Sequence, residues 1–562
     1  MADKSKSKKE VDRVVIRFTG DSGDGMQLTG SRFTEATAIM GNDLATYPDY
    51  PAEIRAPAGS LAGVSSFQIQ FSSDKIGTPG DKLDVLVAMN PAALKTNLAD
   101  LKTSGIIIAN KANYTDKNLK LSGWELNPLE DDSLRDYRVI ALDMTRLVSI
   151  AVEDMDLSVK LISRSTNMFA LGLVSWMYDR TLDPTINFIK NKFAKRPELV
   201  EANIRALKAG YNYGDTIEEF QHIITVSKAE FEPGVYRNIV GNQALCFGLI
   251  TAAEKAGLDI YFAGYPITPA SDILQILSGY KNFRVKTFQA EDEIAAIMSV
   301  VGAVFCGDLG ITATSGPGMA LKGESLGLAV ATELPLVVLN VQRAGPSTGM
   351  PTKTEQADLL QALFGRNGES PVVVLAANSP ADCFSTAFEA CRIALEYMIP
   401  VVLLSDAFLA HGSEPWLIPQ TKSLPKIRTH LVEKPNGFKP FKREEHTLAR
   451  QWGIPGTKGL EHRVGGLEKD IETGDVSYDP INHEKMMYLR QQKVDIIAND
   501  ILPVDPFGDK NGKVLVVGWG SSFGAIREAV NRSRKENNSV GHVHLRHLNP
   551  FPLNLGETLL KY

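Results

Sequence analysis

Residues 285–314, VKTFQAEDEIAAIMSVVGAVFCGDLGITAT, combine a short strand, a long apolar helix and a second strand. Val285–Thr287 and Gly310–Thr314 are predicted to be short strands. Between them, Glu293–Phe305 is apolar on nearly every side, which predicts a helix inside the protein rather than on its surface. A strand–helix–strand unit of this kind is typical of an α/β fold with a mostly parallel sheet.

The alternation of strands and helices continues on both sides of this unit, through residues 235–410. The same patterns of apolar residues predict each further element. Helices are expected at Gly241–Ala256, Ser271–Leu277 and Ser325–Thr332, and strands at Asp259–Ala263, Leu336–Gln342, Val372–Leu375 and Val401–Leu404.

A separate series of strands and helices occupies residues 11–226. Strands are expected at Arg13–Thr19, Asp84–Ala88, Gly105–Ala109 and Tyr137–Ala141, and helices up to Met40, at Asn167–Tyr178 and at Asn187–Leu207. Both series predict α/β domains with a doubly wound, mostly parallel sheet and helices on its two faces.

The remaining segments carry weaker signals. Residues 1–10 are basic and predict a solvated tail. Residues 411–505 are poor in strand patterns and rich in Pro, Gly, Lys and Glu, which predicts a linker with one helix near His483–Asn499. Residues 506–562 fit only two strand–helix pairs, so this third domain is expected to be incomplete.

Length and composition exclude several classes of protein. At about 150 residues per domain, 562 residues predict three or four domains. Hydrophobic residues make up 44% and charged residues 22%, which excludes disorder for most of the chain. The 60 Lys and Arg against 66 Asp and Glu give a net charge of −6, which argues against nucleic acid as the main partner.

Cysteine usage and hydropathy predict the compartment. The chain has four cysteines, none in a C-x-x-C pair, so we expect no disulfide scaffold and no iron–sulfur or zinc site in this chain. The most apolar stretch, residues 326–341, is interrupted by Glu333 and Pro335 and is too short for a membrane span. Residues near Met1 carry no apolar signal region. A soluble protein of the reducing cytoplasm is expected.

The loop GDSGDG after the first strand contains Gly20, Gly23 and Gly25. Glycines between a strand and a helix let the backbone approach a phosphate, and the helix terminus attracts anions. Asp21 and Asp24 in the same loop would repel a diphosphate. The loop is therefore either a tight structural turn or a phosphate cradle.

Two other strand ends carry candidate ligand-binding residues. Thr268 lies between Pro266 and Pro269 after a strand, where it either binds a ligand or caps the next helix. Arg343 directly follows the strand Leu336–Gln342. A guanidinium group at the carboxyl end of a strand can bind a carboxylate with two hydrogen bonds.

The acids at the start of the long helix allow two interpretations. Glu291, Asp292 and Glu293 stabilise the positive end of the helix dipole in the simpler one. In the other, a carboxyl group held in an apolar site serves acid/base chemistry. The small-residue loop at Ser315 and Gly316 either admits a flat cofactor ring or simply turns the chain.

The segment after Arg343 adds a second cation. Lys353, ten residues further on, could hold another carboxylate. Thr352 and Glu355 also fit the spacing of a helix capping box.

Taken together these motifs resemble one family, the 2-oxoacid:ferredoxin oxidoreductases, which are thiamine diphosphate enzymes. Residues 11–226 resemble its γ domain, residues 235–410 its pyrimidine-binding domain, and residues from 513 the start of a transketolase-C-like domain. The motifs that carry the resemblance are GDSGDGMQLTGSRF, AEIRAPAGSLAGVSSFQIQFSS, DVLVAMNP, GNQALCFGLITAA, GYPITPASDI, FQAEDEIAAIMSVVGA, TATSGPGMAL and NVQRAGPSTGMPTKTEQADL.

The resemblance implies a role for each candidate residue. Glu293 would contact the aminopyrimidine ring and favour the tautomer that activates the thiazolium carbon. Thr268 and Arg343 would bind the carboxylate and carbonyl end of the 2-oxoacid, and Thr352 and Lys353 would meet its side chain. A cation at Lys353 suits 2-oxoglutarate. The pyrimidine side of the cofactor site would comprise Pro266, Ile267, Thr268, Glu293, Ser315 and Gly316.

The resemblance also implies what this chain lacks. Family members place Mg²⁺ and the [4Fe–4S] cluster on a separate β subunit, so no metal site is expected here. Coenzyme A would bind in a region to which the γ domain, with Gly20, Gly23 and Gly25, contributes. An (αβ)₂ heterotetramer passing electrons to ferredoxin is expected. Pyruvate or a branched-chain 2-oxoacid as substrate, or a non-catalytic coenzyme A- or nucleotide-binding scaffold, are the alternatives.

Overall fold

The computed structural model describes residues 7–51, 56–217 and 222–562. They form two compact units. The first comprises Met1–Asn238 with Ser413–Leu417, and the second comprises Ile239–Gly412 with Ile418–Tyr562. Each contains a largely parallel sheet with helices, so the predicted α/β class is confirmed.

The first unit contains eight strands before residue 230 and eight helices among its described residues. The strands are β1 (Ser7–Glu10), β2 (Arg13–Asp21), β3 (Asp43–Asp49), β4 (Val64–Ser72), β5 (Leu83–Ala88), β6 (Leu101–Asn110), β7 (Arg138–Leu142) and β8 (His222–Thr225). The helices are α1 (Met26–Ile39), α2 (Pro91–Asn97), α3 (Asp116–Leu121), α4 (Met144–Ala151), α5 (Val159–Arg164), α6 (Thr166–Met177), α7 (Asp183–Lys192) and α8 (Pro197–Thr216).

The main sheet of the first unit has six strands in the order β3-β4-β2-β5-β6-β7. β2, β5, β6 and β7 are parallel, as predicted, whereas β3 and β4 are antiparallel additions that the sequence patterns did not reveal. All nine residues of β4 are buried although five of them are polar. The Gln68 amide, for example, donates to the carbonyl oxygens of Pro79 and Gly80 at 2.7 and 2.6 Å. Hydrogen bonds of this kind make burial of a polar strand possible.

Two further expectations for this unit need correction. Ser7–Glu10, part of the predicted solvated tail, pairs as β1 with β8, although all four residues are exposed; residues 1–6 lie outside the described part.

The single helix predicted at Asn187–Leu207 is two helices, α7 and α8. Pro197 occupies the first turn of α8, a position where proline starts a helix rather than continuing one.

The second unit begins within β9 and runs to the end of the chain. The strands from here on are β9 (Tyr236–Val240), β10 (Ile260–Gly264), β11 (Val285–Gln289), β12 (Leu309–Thr314), β13 (Leu336–Gln342), β14 (Val373–Ala376), β15 (Val401–Asp406), β16 (Ser413–Leu417), β17 (Leu431–Val432), β18 (Trp452–Gly453), β19 (Phe507–Gly508), β20 (Val514–Trp519), β21 (Val540–Leu545) and β22 (His547–Asn549). Of these, β16 belongs to the first unit.

The helices after residue 240 all belong to the second unit. They are α9 (Gly241–Ala256), α10 (Ser271–Ser278), α11 (Glu293–Phe305), α12 (Gly316–Leu321), α13 (Gly323–Thr332), α14 (Leu359–Phe364), α15 (Asp382–Tyr397), α16 (Ala407–His411), α17 (Pro480–Ile497), α18 (Phe523–Lys535) and α19 (Leu555–Leu559). α11 and β13 have the predicted bounds, whereas the prediction lacked α15.

The main sheet of the second unit has seven strands in the order β11-β10-β12-β13-β15-β14-β22. Its first six strands are parallel and β22 is antiparallel. Every residue of β12, β13 and β15 is buried, as expected for apolar runs covered on both faces. The carboxyl ends of the parallel strands lie at one edge, where α/β sheets bind ligands.

The segments predicted as a linker and a third domain pack within this second unit. The Trp452 indole is buried and donates to the carbonyl oxygen of Val304 at 3.1 Å, at the end of α11. Arg443 and Lys493 form buried ion pairs with Glu333. Most of the predicted linker, from residue 418 onward, therefore belongs to the second unit and contacts α11 and α13. Within the described ranges, no helix is both long and apolar enough to span a bilayer.

Candidate active site at the carboxyl edge of the second sheet

Glu293 is the first residue of α11 and is 7% exposed. Asp292, not Glu293, is the N-cap, and its carboxylate accepts a hydrogen bond from the Ala295 amide at 2.7 Å. Capping of α11 therefore accounts for the acid at residue 292. It does not account for Glu293, which is buried but does not cap the helix. Glu291 is exposed.

Gly318 of α12 makes room for the Glu293 side chain. A Cβ atom at residue 318 would lie 2.8 Å from Cγ and 3.0 Å from Oε1 of Glu293, and 2.0 Å from the Thr314 hydroxyl oxygen. The small residues 314–318 were predicted as a loop. The last three of them instead form the start of α12, and Gly318 contacts Glu293 directly. This close approach is the local reason for glycine here.

Lys322 lies between α12 and α13, fully buried, and its Nζ donates to the main-chain oxygen of Glu293 at 2.8 Å. Burial lowers the pKa of this ammonium group to about 8, and the Glu293 and Asp292 carboxylates oppose that shift. Sequence reasoning missed Lys322. A single lysine within the apolar run GMALKGESLGLAV is the signal that could have revealed it.

Arg343 joins two of the predicted substrate-binding segments. It is 7% exposed, and its NH1 donates to the main-chain oxygen of Thr268 at 2.8 Å. Its buried Nε has no hydrogen-bond partner in the described part of the chain. Burial lowers the pKa of Arg343 while Glu293 opposes the shift. Thr268 is exposed and does not cap a helix, because α10 begins at Ser271 after Ala270.

The segment carrying Thr352 and Lys353 folds back on the end of β13. The Ala344 amide donates to the main-chain oxygen of Lys353 at 2.9 Å, and the Gly345 amide donates to Glu355 at 2.9 Å. No helix begins at Thr352, so the capping-box interpretation is wrong; the next helix, α14, begins at Leu359. The main chain of Lys353 is thereby held beside the residue that follows Arg343.

Asn340 and Asp358, which the sequence analysis did not select, lie near the ends of β12 and β13 together with the predicted residue Ser315. The Asn340 amide donates to the Asp358 carboxylate at 3.0 Å, and a Cβ atom at Gly316 would lie 3.1 Å from that carboxylate. Burial raises the pKa of Asp358. The Ser315 hydroxyl is buried and has no hydrogen-bond partner among the described residues.

The two other predicted residues of the cofactor site, Pro266 and Ile267, lie in the loop after β10. Pro266 is exposed and Ile267 is half-buried.

The GDSGDG loop of the first unit has little capacity to cradle a phosphate through its backbone. The Asp21 amide donates to the Asp24 carboxylate at 2.9 Å, and the amides of Ser22, Gly23 and Asp24 each donate to main-chain oxygens. Gly25, with φ of 76°, precedes α1. Burial raises the pKa of Asp24 to about 6. The three amides at residues 22–24 are thus committed to the fold.

A cavity of about 370 Å³ adjoins this loop. Two cations of α5, Lys160 and Arg164, line it together with Gly23. A Cβ atom at Gly23 would meet nothing within 4 Å, so this glycine faces open space. Side chains, rather than loop amides, are the donors available to an anion here.

Comparison with known proteins identifies the family. Residues 15–213 match the family model "Pyruvate ferredoxin/flavodoxin oxidoreductase", and residues 251–477 match "Pyruvate flavodoxin/ferredoxin oxidoreductase, thiamine diP-bdg". The 2-oxoglutarate oxidoreductase subunit KorA of Mycobacterium tuberculosis is 57% identical over 99% of this chain and 85% of its own length. This chain belongs to the 2-oxoacid:ferredoxin oxidoreductase family.

Two other members agree with this assignment. Subunit alpha of 2-oxoacid:ferredoxin oxidoreductase 1 of Aeropyrum pernix is 32% identical over 96% of this chain and 87% of its own length. The structure of 2-oxoglutarate:ferredoxin oxidoreductase from Magnetococcus marinus, with 2-oxoglutarate, coenzyme A and succinyl-CoA bound, superposes with a TM-score of 0.82 at 30% identity. It covers 97% of this chain and 89% of that chain. The predicted family, oxidoreductase class and thiamine diphosphate-binding domain are confirmed.

The residues of the site fit thiamine diphosphate. Glu293 presents a buried carboxyl group packed against Gly318, and Ser315 adds a buried hydroxyl group without a partner among the described residues. The relatives are named as subunits, which supports a multi-subunit oxidoreductase. In residues 7–51, 56–217 and 222–562, no group of three or more His, Cys, Asp or Glu could hold a metal ion.

Proposed function

We propose that this chain binds the aminopyrimidine side of thiamine diphosphate and the carboxylates of 2-oxoglutarate. The complete enzyme would convert 2-oxoglutarate and coenzyme A to succinyl-CoA and CO₂ while reducing ferredoxin, or catalyse the reverse carboxylation. The observation that carries the proposal is the buried Glu293 at the head of α11, opposite the glycine of α12. The similarity to 2-oxoglutarate oxidoreductases supports the choice of substrate.

Glu293 would hold and release the proton of the reaction. When bound, the cofactor supplies a thiazolium carbon that adds to the 2-oxo carbon of the substrate. A carboxyl group can pass a proton to a ring nitrogen at hydrogen-bond distance. The Asp292 cap and the contact with Gly318 fix the first turn of α11, so the carboxyl group is oriented in advance.

Arg343 and Lys353 would bind the two ends of a dicarboxylate. Arg343 is anchored on the Thr268 carbonyl, which leaves its other donors for the carboxylate next to the oxo group. Holding that carboxylate until the carbon–carbon bond breaks keeps its charge positioned for loss of CO₂. The hydrogen bond from Ala344 to the Lys353 main chain brings the second cation to the same loop, where Thr352 completes the substrate segment.

Lys353 decides between 2-oxoglutarate and the alternatives. We expect Lys353→Met to raise the KM for 2-oxoglutarate by about 10- to 100-fold, because a charge-assisted hydrogen bond to the distal carboxylate is lost. The KM for pyruvate, which has no distal carboxylate, should change less than about threefold. The measurement is steady-state acceptor reduction by the complete complex with each acid. An unchanged KM for 2-oxoglutarate would remove the basis for this substrate choice.

A coenzyme A region is proposed on the first unit, near Gly20, Gly23 and Gly25. Since the amides of the loop are committed, we propose that Lys160 and Arg164 bind the phosphate groups of the ligand in the adjoining cavity. Gly23 would allow close approach because no side chain occupies that space.

We further propose a β subunit that supplies the diphosphate and Mg²⁺ site and the [4Fe–4S] cluster, in an (αβ)₂ complex of the cytoplasm. An apolar stripe on α11 supports a partner next to Glu293. Ile294 and Met298 are 47% and 40% exposed and lie one turn apart, and Gly302, a further turn along, is exposed with open space around its α-carbon. An exposed apolar face beside a catalytic acid is typical of a subunit interface.

Charge introduced into this stripe should weaken the complex. We expect Met298→Lys to reduce affinity for the β subunit by at least about tenfold, because a lysine at a dry interface loses its hydration. Ile150→Lys on α4, where the wild-type side chain is 55% exposed, is the matched control and should bind normally. Co-expression followed by size-exclusion chromatography and titration calorimetry measures both. Equal affinity of the two variants would exclude this stripe from the interface.

The assay that tests the function is acceptor reduction by the α–β complex, with coenzyme A and a panel of 2-oxoacids. Reduction with 2-oxoglutarate as the best substrate supports the proposal. No reduction with any 2-oxoacid would instead support the scaffold alternative. Carbon transfer without an electron acceptor would indicate transketolase-like chemistry.

A further inference from the structure

Lys322 is a fully buried cation in the second unit that the proposed reaction does not use. Its Nζ has one hydrogen-bond acceptor in the described part of the chain, the Glu293 main-chain oxygen at 2.8 Å. An ammonium group has three N–H donors, and only one of them has an acceptor in the described part of the chain. A buried methionine or leucine would avoid the cost of removing a charge from water.

The local electrostatics also disfavour a cation here. Lys322 contacts the first residue of α11, and the amino end of a helix carries a partial positive charge. Arg343 adds a second cation within electrostatic range of Glu293. The carboxylates of Asp292 and Glu293 are the groups that offset these charges. The Asp292 carboxylate is already engaged by the Ala295 amide.

We propose that Lys322 is a positioning residue that acts through Glu293: its hydrogen bond to the Glu293 main-chain oxygen fixes the first turn of α11 and so holds the Glu293 carboxyl group in place for its proposed role. Gly318 and Lys322, one turn apart across α12, thus act on the side chain and the main chain of the same acid. This inference rests on the function proposed for Glu293.

The test uses the complete complex with added thiamine diphosphate. The readout is the rate at which the C2 hydrogen of the bound cofactor exchanges with deuterium, measured by NMR after acid quench without substrate. We expect Lys322→Met to slow exchange by about tenfold or more at saturating cofactor. Lys322→Gln retains a hydrogen-bond donor for the Glu293 carbonyl without the charge and should recover part of this loss. Lys281→Met, at an exposed lysine of the same unit, is the control and should exchange normally.

A double-mutant cycle decides whether Lys322 acts through Glu293. In a Glu293→Gln background, Lys322→Met should cause no further loss, because the group it assists is gone. Exchange within about twofold of wild type in both Lys322 variants, or a full additional loss in the double variant, would overturn the inference. Failure of both variants to fold would also overturn it, since Lys322 would then have only a structural role. If Glu293→Gln itself exchanges normally, the proposed function of Glu293 fails instead.

Discussion

Glu293→Gln is expected to reduce turnover of the complete complex by at least about 100-fold while the complex still assembles. The amide is nearly isosteric with the carboxyl group but cannot hold and release the proton. Because Asp292 caps α11, the helix should keep its start and the unfolding temperature should change by only a few degrees. Steady-state acceptor reduction and a thermal melt measure the two effects.

The neighbouring acid provides the control for this experiment. Glu291 is exposed and lies two residues before Glu293, so Glu291→Gln makes the same substitution at a nearby position. It should retain activity within about twofold, as surface substitutions usually do. If the two variants had equal turnover, or if Glu291→Gln had the lower turnover, the assignment of Glu293 as the catalytic acid would be wrong.

Gly318→Ala should be the second most damaging change, although it adds one methyl group. The new Cβ atom would lie 2.8 Å from Cγ of Glu293 and 2.0 Å from the Thr314 hydroxyl oxygen, so one or both side chains must move. We expect activity to fall by at least about tenfold, because a small displacement of a catalytic group is costly. Overpacking of this kind also destabilises proteins by about 1–3 kcal/mol.

Gly327→Ala is the matched control for this substitution. Gly327 lies in the neighbouring helix α13, where a Cβ atom would meet its nearest neighbour, the Ser370 hydroxyl oxygen, at 3.9 Å. Alanine is a better helix former than glycine, so this variant should be at least as stable as wild type and fully active. Full activity of Gly318→Ala, measured in parallel, would show that the contact with Glu293 is unimportant.

The sequence predicted the elements whose hydrophobic pattern is strong. α11 and β13 have the predicted bounds because most of their residues are apolar, and because α11 begins directly after the polar Asp292 and β13 directly after Pro335. It did not predict β4, in which the polar residues of VSSFQIQFS conceal a fully buried strand. Such a strand is stabilised by distant partners, such as the carbonyl oxygens of Pro79 and Gly80, which no local pattern shows.

The sequence predicted candidate site residues where single residues follow strand ends, as with Thr268 and Arg343. The contacts that make it a site were not predictable, because they join residues far apart in the chain. Lys322 meets Glu293 across 29 residues, and Arg343 meets Thr268 across 75. The small residues around Gly318 fit a loop as well as the start of a helix. Only the packing of α12 against α11 shows that Gly318 contacts Glu293.

An experimental structure of the α–β complex with thiamine diphosphate bound is the most direct test of the central claim. The account predicts a Glu293 carboxyl oxygen about 2.6–3.2 Å from the N1′ atom of the pyrimidine ring, with Gly318 beside the carboxyl group. A cofactor whose pyrimidine ring lies elsewhere, or a Glu293 side chain directed away from it, would contradict the account.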